Sequence, residues 1–220
     1  MKKINIDSDP AIYSKMRDYI ILLDAGHAQS TAGKKSPDNR LQEWKFNRII
    51  ANKLAAKLSK TGFDVRIICP QGIREDEMDI PLKDRVARVN EIVDLNSHKK
   101  CILISIHANA HGAGDIFTKP HGFSVFVANK CSKASKKLAK TIYDTFIASD
   151  DYDYKGDRAT PPEHYWQAGF AMVRLTNCPA VLTESLFYTN KDDIEWMLSS
   201  EGQDSIAQLH HDAIVEYCLA

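Results

Sequence analysis

No CxxC pair, internal repeat or low-complexity tract occurs in these 220 residues, and no apolar run approaches the roughly 18 residues of a membrane span. Without CxxC spacing there is no case for a zinc ribbon or a dithiol redox motif. Neither charge sign is in excess: Lys+Arg is 29 and Asp+Glu is 29, whereas a nucleic-acid binder usually carries a basic surplus to neutralise phosphates. The N-terminus, MKKINIDSDP, has two lysines and no apolar stretch behind them, so no signal peptide is expected. Synthesis in the cytoplasm is the expectation, and work outside it needs an unidentified export or lysis route. Five cysteines leave at least one thiol unpaired; most lie in apolar runs and read as small core residues. What is present is a composition 44% hydrophobic and 26% charged, ordinary for a soluble globular chain able to bury a core without staples.

Short apolar runs alternate with amphipathic stretches. Residues 19–23 (YIILL) read as a buried strand that runs into Asp-Ala-Gly-His. From Glu43, apolar residues at Phe46, Ile50, Leu54 and Leu58 have helical spacing, and Gly62 supplies a stop. Strands are expected at 63–69, 101–106, 122–128, 171–176 and 180–183. Helices are expected from Pro81, with Leu82, Val86, Val89 and Val93 on its core side, at 132–148, and over two closing segments around 194–198 and 206–217. This alternation predicts an α/β domain: a mixed, mainly parallel sheet of about six strands with helices on both faces. The close spacing of the 171 and 180 segments allows an antiparallel pair. The polar stretch 149–164 reads as an excursion that shapes access to a site and adds little to the core.

In parallel sheets the chemistry sits beyond the carboxyl ends of the strands. The first strand runs into Asp24 and His27, the third into His107, and the last into Glu184; the first long helix opens with Glu43. Buried imidazoles and carboxylates are costly without partners. Two histidines and a carboxylate form a standard catalytic zinc set with one open position, and a second, unliganded carboxylate then acts as base. A strand-end histidine is more often a hydrogen-bonded structural residue, and the spacings of 16 and 64 residues fit no short metal motif. Glu184 remains open between a metal ligand, a structural acceptor and the base. His98 reads as solvated, His111, His121 and His164 as loop residues near the site, and His210 and His211 as structural or surface residues.

Five segments then carry a resemblance: IILLDAGHA, EWKFNRIIA, LKDRVARVN, SIHANA and CPAVLTESLFYTN. In order, spacing and context, the chain over 19–217 resembles the zinc-dependent N-acetylmuramoyl-L-alanine amidases of the type-3 amidase family, in their single-domain, phage-like or prophage-like form. The resemblance implies an amidase catalytic domain over 19–220 behind a lead-in of residues 1–18. It implies a Zn2+ cofactor held by His27, Glu43 and His107, with Glu184 as catalytic carboxylate. The implied reaction is hydrolysis of the amide between N-acetylmuramic acid and L-alanine in peptidoglycan, by a monomer without nucleic-acid partners. Asp24 is then either an orienter of an imidazole or a strand-end turn residue, and Asn109 either a substrate contact or a loop holder. Tyr152, Tyr154, Tyr165 and Trp166 either stack on substrate or pack the excursion onto its own domain. Departures from the family pattern are Ala28 in place of a common glycine, the long basic segment GKKSPDNRLQEW, and the excursion itself. The rival readings are a zinc peptidase acting on the stem peptide and an inactive wall-binding domain.

Overall fold

The computed structural model describes residues 10–68, 78–156 and 160–220. Its elements run α1 (Pro10–Arg17), β1 (Tyr19–Ala25), α2 (Glu43–Thr61), β2 (Asp64–Ile67), α3 (Leu82–Leu95), β3 (Lys100–Asn109) and β4 (Phe123–Ala128). They continue through α4 (Lys133–Ile147), β5 (Trp166–Ala168), α5 (Ala171–Arg174), β6 (Ala180–Phe187), α6 (Lys191–Leu198) and α7 (Ser200–Leu219). The six strands form one sheet in the order β2-β1-β3-β6-β4-β5. All neighbours are parallel except β4 and β6.

Strand residues alternate between two cores, as a sheet covered on both faces requires. Ile20 and Leu22 of β1 and Leu103 of β3 pack with Val86 and Val89 of α3 and Met172 and Val173 of α5. Ile21, Leu23, Ile102 and Ile104 point the other way, into the larger core closed by Leu54 and Leu58 of α2 and by Ile214 of α7. Gly62 ends α2 at φ 101°, and its N–H reaches back to the carbonyls of Leu58 and Ser59. The lead-in is helical over α1, which packs on α7 and buries Met16 in the larger core.

Three expectations are corrected. The segment 171–176 is the short helix α5; its backbone closes helical turns onto Phe170 and Ala171, and Thr176 Oγ1 donates to the Met172 carbonyl. A short apolar run carries no decisive period, and here packing against α3 decides it. The strand of that region is β5, and the antiparallel pair is β4 with β6. Second, Leu82 does not join the core: Pro81 caps α3, and Leu82, its first residue, is 55% exposed. Third, the excursion is not peripheral. Tyr154 is 1% exposed inside the larger core, its hydroxyl meets Ser205 Oγ and accepts from Trp196 Nε1, and Tyr152 stacks on Trp196. The stretch is polar by count, but its two tyrosines carry enough apolar surface to fasten it to α6 and α7. Cys69 and most of the acid-rich loop after β2 lie outside the described residues.

Tyr154→Ala should therefore cost about 3–5 kcal/mol, the range for a buried aromatic cut to alanine. Urea unfolding measures it; a loss under about 1 kcal/mol would restore the peripheral reading.

Candidate active site

Glu43 is the first residue of α2, so its carboxylate sits at the positive end of a 19-residue helix dipole. Its Oε1 accepts the Ala108 N–H at 3.3 Å and lies 3.1 Å from His107 Nδ1 and 3.4 Å from His27 Nε2. The two imidazoles stand edge to face with centroids 5.0 Å apart. One ligand atom from each of His27, Glu43 and His107 lies within 4.8 Å of the others. Oε2 of Glu43 is buried and accepts no hydrogen bond among the described residues. An orphaned carboxylate oxygen beside two imidazole nitrogens is a donor set that a cation such as zinc completes.

The sheet explains the convergence. β1 and β3 run parallel with Ala25 beside Ile106, so His27, just past β1, arrives level with His107. His107 is paired laterally with Glu184, and Glu184 with Ser124 on its other side. Neighbouring strands lie about 4.8 Å apart. The turn carrying His27 is clamped from three sides. Gly26 N–H donates to the Ile106 carbonyl at 2.9 Å, Asn47 Nδ2 donates to the Gly26 carbonyl at 3.1 Å, and Ala28 N–H donates to Thr31 Oγ1 at 3.2 Å. This holds His27 at φ 65°, a left-handed conformation uncommon outside glycine. A Cβ at Gly26 would stand 2.1–2.4 Å from three ring atoms of His107, so the close approach of the two motifs needs glycine there.

The two carboxylates differ in state. Burial pushes Glu43 up, but hydrogen bonds with His107 and then His27 outweigh it and hold the group well below the usual carboxylate range. Glu184 has no such partners, and its Oε2 is buried without a hydrogen bond among the described residues. Burial, reinforced by the charge of Glu43, pushes it up to about 8. All four residues line one cavity of about 590 Å³, whose other walls include Lys34, Tyr188, Leu82 and Phe170.

The sequence pattern of the family described as N-acetylmuramoyl-L-alanine amidase matches residues 21–216. The chain belongs to this amidase family. Among solved structures, the chain is similar to the N-acetylmuramoyl-L-alanine amidase from Clostridium difficile 630 at 30% identity and a TM-score of 0.71, covering 90% of this chain and 96% of that one. Among curated relatives it is 26% identical to the N-acetylmuramoyl-L-alanine amidase LytC of Bacillus subtilis over 96% of its length, and 25% identical to the endolysin of Bacillus phage SPP1 over 90%. It spans 40% of the length of the first and 65% of the second.

Within this amidase fold the remaining sequence candidates separate. Asp24 is the last residue but one of β1 and is fully buried, paired with Arg85 Nη1 at 2.8 Å and accepting from Ser105 Oγ at 2.7 Å. Asn109 lines the cavity, with Oδ1 turned to the Ala110 N–H. His164 pairs with Asp144 on the surface, and His210 is buried between the Ile206 carbonyl and Thr183 Oγ1. Among the described residues, neither His111, His121 and His164 nor the four aromatics of the excursion line the cavity.

Sequence reasoning missed Lys34 and Tyr188, both on the cavity wall, and Asp79. Asp79 Oδ2 lies 4.0 Å from His27 Nδ1, the nitrogen turned away from Glu43, and accepts Thr31 Oγ1 at 2.6 Å; Asp79 Oδ1 accepts from Arg85. Lys34 sat in the segment already noted as unusually basic. Asp79 gave no signal, because an acidic loop offers several equivalent carboxylates.

Gly26→Ala should displace the His107 ring and, if His27, Glu43 and His107 hold a divalent metal, cut its affinity at least tenfold while far-UV circular dichroism stays native; unchanged zinc affinity in a chelator competition would refute the steric argument. A second expectation follows from Glu184. Its folded value of about 8 exceeds the ordinary 4.5, so the stability it confers is complete below about 4.5 and is lost as pH rises through 8. In metal-free protein, Glu184→Gln should raise Tm over wild type at pH 8, with the gap closing towards pH 4. A gap independent of pH would show that Glu184 does not titrate in this range.

Proposed function

We propose that the chain hydrolyses the amide bond joining the lactyl group of N-acetylmuramic acid to the L-alanine of the peptidoglycan stem, with zinc bound by His27, Glu43 and His107 and with Glu184 moving the proton. The observation that carries this reading is a His-Glu-His cluster with an orphaned carboxylate oxygen, in one cavity with a second carboxylate whose buried oxygen has no hydrogen-bond partner among the described residues. Membership of the amidase family and the similarity to LytC, an N-acetylmuramoyl-L-alanine amidase, support the choice of bond. The cell wall is then the place of action. No described helix is long and apolar enough to cross a membrane.

The donor set fits zinc: two imidazole nitrogens and one carboxylate, a borderline set that leaves a position for water or substrate. When bound there, zinc lowers the pKa of water towards about 7 and polarises a carbonyl. The chain's own residues do the rest. Glu43 stays ionised and neutralises charge, while its Oε1 keeps both imidazoles facing one point. Glu184, beside His107 across the β3–β6 pair, takes the proton of the attacking water and returns it to the leaving L-alanine nitrogen. That nitrogen is a poor leaving group unless protonated, and a carboxyl that titrates near neutrality suits both transfers.

Glu184→Gln keeps the size and hydrogen-bonding capacity of the side chain and removes the proton acceptor. It should retain one zinc per chain and lose about 10²–10⁴-fold in turnover on purified peptidoglycan. Mass analysis of wild-type digests should find stem peptides with a free L-alanine amino group. Fragments cut between two stem residues would point to a peptidase instead, and loss of zinc from the variant would move Glu184 into the coordination sphere.

A further inference from the structure

Lys34 is the single Lys or Arg side chain on the cavity wall among the described residues. It is half-buried, and its ammonium makes no hydrogen bond or ion pair with any described residue. Its backbone is fixed. The Lys34 carbonyl accepts the Glu43 N–H at 2.9 Å, and Lys35 bridges Gln42 next door, so the loop is zipped to the first turn of α2. The ammonium therefore projects from a point one hydrogen bond away from the Glu43 backbone. Lys34 and Glu184 line the same cavity.

Away from the His27–Glu43–His107 cluster, Lys34 is the cationic side chain of the cavity lining, among the described residues, that can receive an anionic substituent of a ligand. The histidines are engaged with Glu43. On the proposed reading, the ligand is a stem peptide whose second residue is a D-glutamate linked through its γ-carboxyl. Its α-carboxyl hangs one residue beyond the scissile nitrogen, about 7 Å or less along an extended chain. In bacterial walls that carboxyl is either free and anionic or converted to a neutral amide.

We propose that Lys34 is a specificity-determining residue whose ammonium receives the free α-carboxylate of the second stem residue, so that the enzyme prefers stems with free D-isoglutamate over stems with D-isoglutamine. The inference rests on the amidase reading of the site. Leu82, Phe170 and Met172 in the lining carry no charge or donor to hold a carboxylate, and Asn109 and Tyr188 offer neutral donors only, which would serve a carboxamide as well. A hydrogen-bonded ion pair of this kind corresponds to a preference of about 10- to 100-fold.

The test uses two synthetic muramyl tripeptides that differ only in whether the second residue carries a carboxylate or a carboxamide. Cleavage of the lactyl–alanine bond is followed by mass spectrometry on zinc-loaded protein. Wild type should favour the carboxylate substrate about 10- to 100-fold in kcat/KM, mainly through KM. In Lys34→Met the ratio should fall to about one, whatever the variant's absolute activity, and Lys34→Arg should restore most of it. Calorimetry of the two product tripeptides on metal-free protein should reproduce these ratios as Kd values without turnover. A wild-type ratio near one, or a Lys34→Met ratio equal to that of wild type, overturns the assignment of Lys34 and leaves the amidase reading standing. A wild type that cleaves neither substrate at this bond overturns both.

Discussion

Two carboxylates line one cavity, Glu43 buried and Glu184 half-buried with one oxygen enclosed, and most of what surrounds them follows from keeping them apart in charge. At the separations of a shared site, in a medium less polar than water, two ionised carboxylates repel strongly and one of them takes a proton. Glu43 has the helix end, the Ala108 N–H and two imidazoles on its side. Glu184 has neighbouring strands and a buried oxygen without a hydrogen-bond partner among the described residues. The outcome is an ionised group facing the histidines and a group whose proton comes off near neutrality. The two form a coupled pair, so a cation bound at Glu43 also makes ionisation of Glu184 easier. On the proposed reading this asymmetry separates ligand from proton carrier, although both residues are glutamates.

The sheet delivers these groups without a long loop. Three adjacent parallel strands, β1, β3 and β6, end on the same side, so His27, His107 and Glu184 meet by register alone. The helix that follows the first loop then adds Glu43. The arrangement is locked beneath by Arg85, a buried guanidinium that reaches from α3 to Asp24, to the Ala25 and Ile80 carbonyls and to Asp79. One charge thus links the second helical face of the sheet, the end of β1 and the carboxylate behind His27. Breaking a buried pair of this kind by removing one partner leaves an uncompensated charge, at a cost of about 3–5 kcal/mol. Arg85 is therefore better read as a fixture of the site's frame than as a spare core residue.

Much of this was legible in the sequence because it is periodic or terminal. Alternating apolar runs mark β1, β3 and β6, and polar residues that interrupt them mark the rim. The strand ends pointed to His27, His107 and Glu184, and the start of the amphipathic pattern pointed to Glu43. Asp24 was noticed as well, but its partner is 61 residues away in another helix, and nothing local identifies such a pairing. The short segments failed for the same reason. Four residues of α5 have no period of their own, and the excursion left Tyr154 open between stacking on substrate and packing, a choice decided by Trp196 and Ser205 far along the chain. Long-range packing settles what local pattern leaves degenerate.

The cavity's two sides also have different chemistry, and the fold accounts for this too. The side built from the loop before α2 carries Lys34, whereas the side built from α3 and α5 carries Leu82 and Phe170, 55% and 40% exposed. Exposed apolar side chains at a cavity mouth usually mark a surface that a ligand covers. Neither is loose. Pro81 fixes the entry of α3 directly before Leu82, and Phe170 sits edge to face on Phe126 of β4, with ring centroids 5.4 Å apart. A rim held by a helix cap and an aromatic pair loses little conformational freedom when a ligand arrives. On the proposed reading, a lining that combines the cation of Lys34, the apolar Leu82 and Phe170 and the carboxylates of Glu43 and Glu184 favours a chain that carries both charge and aliphatic surface. A peptide of small residues carrying one free carboxylate has that character, whereas a bare glycan strand does not.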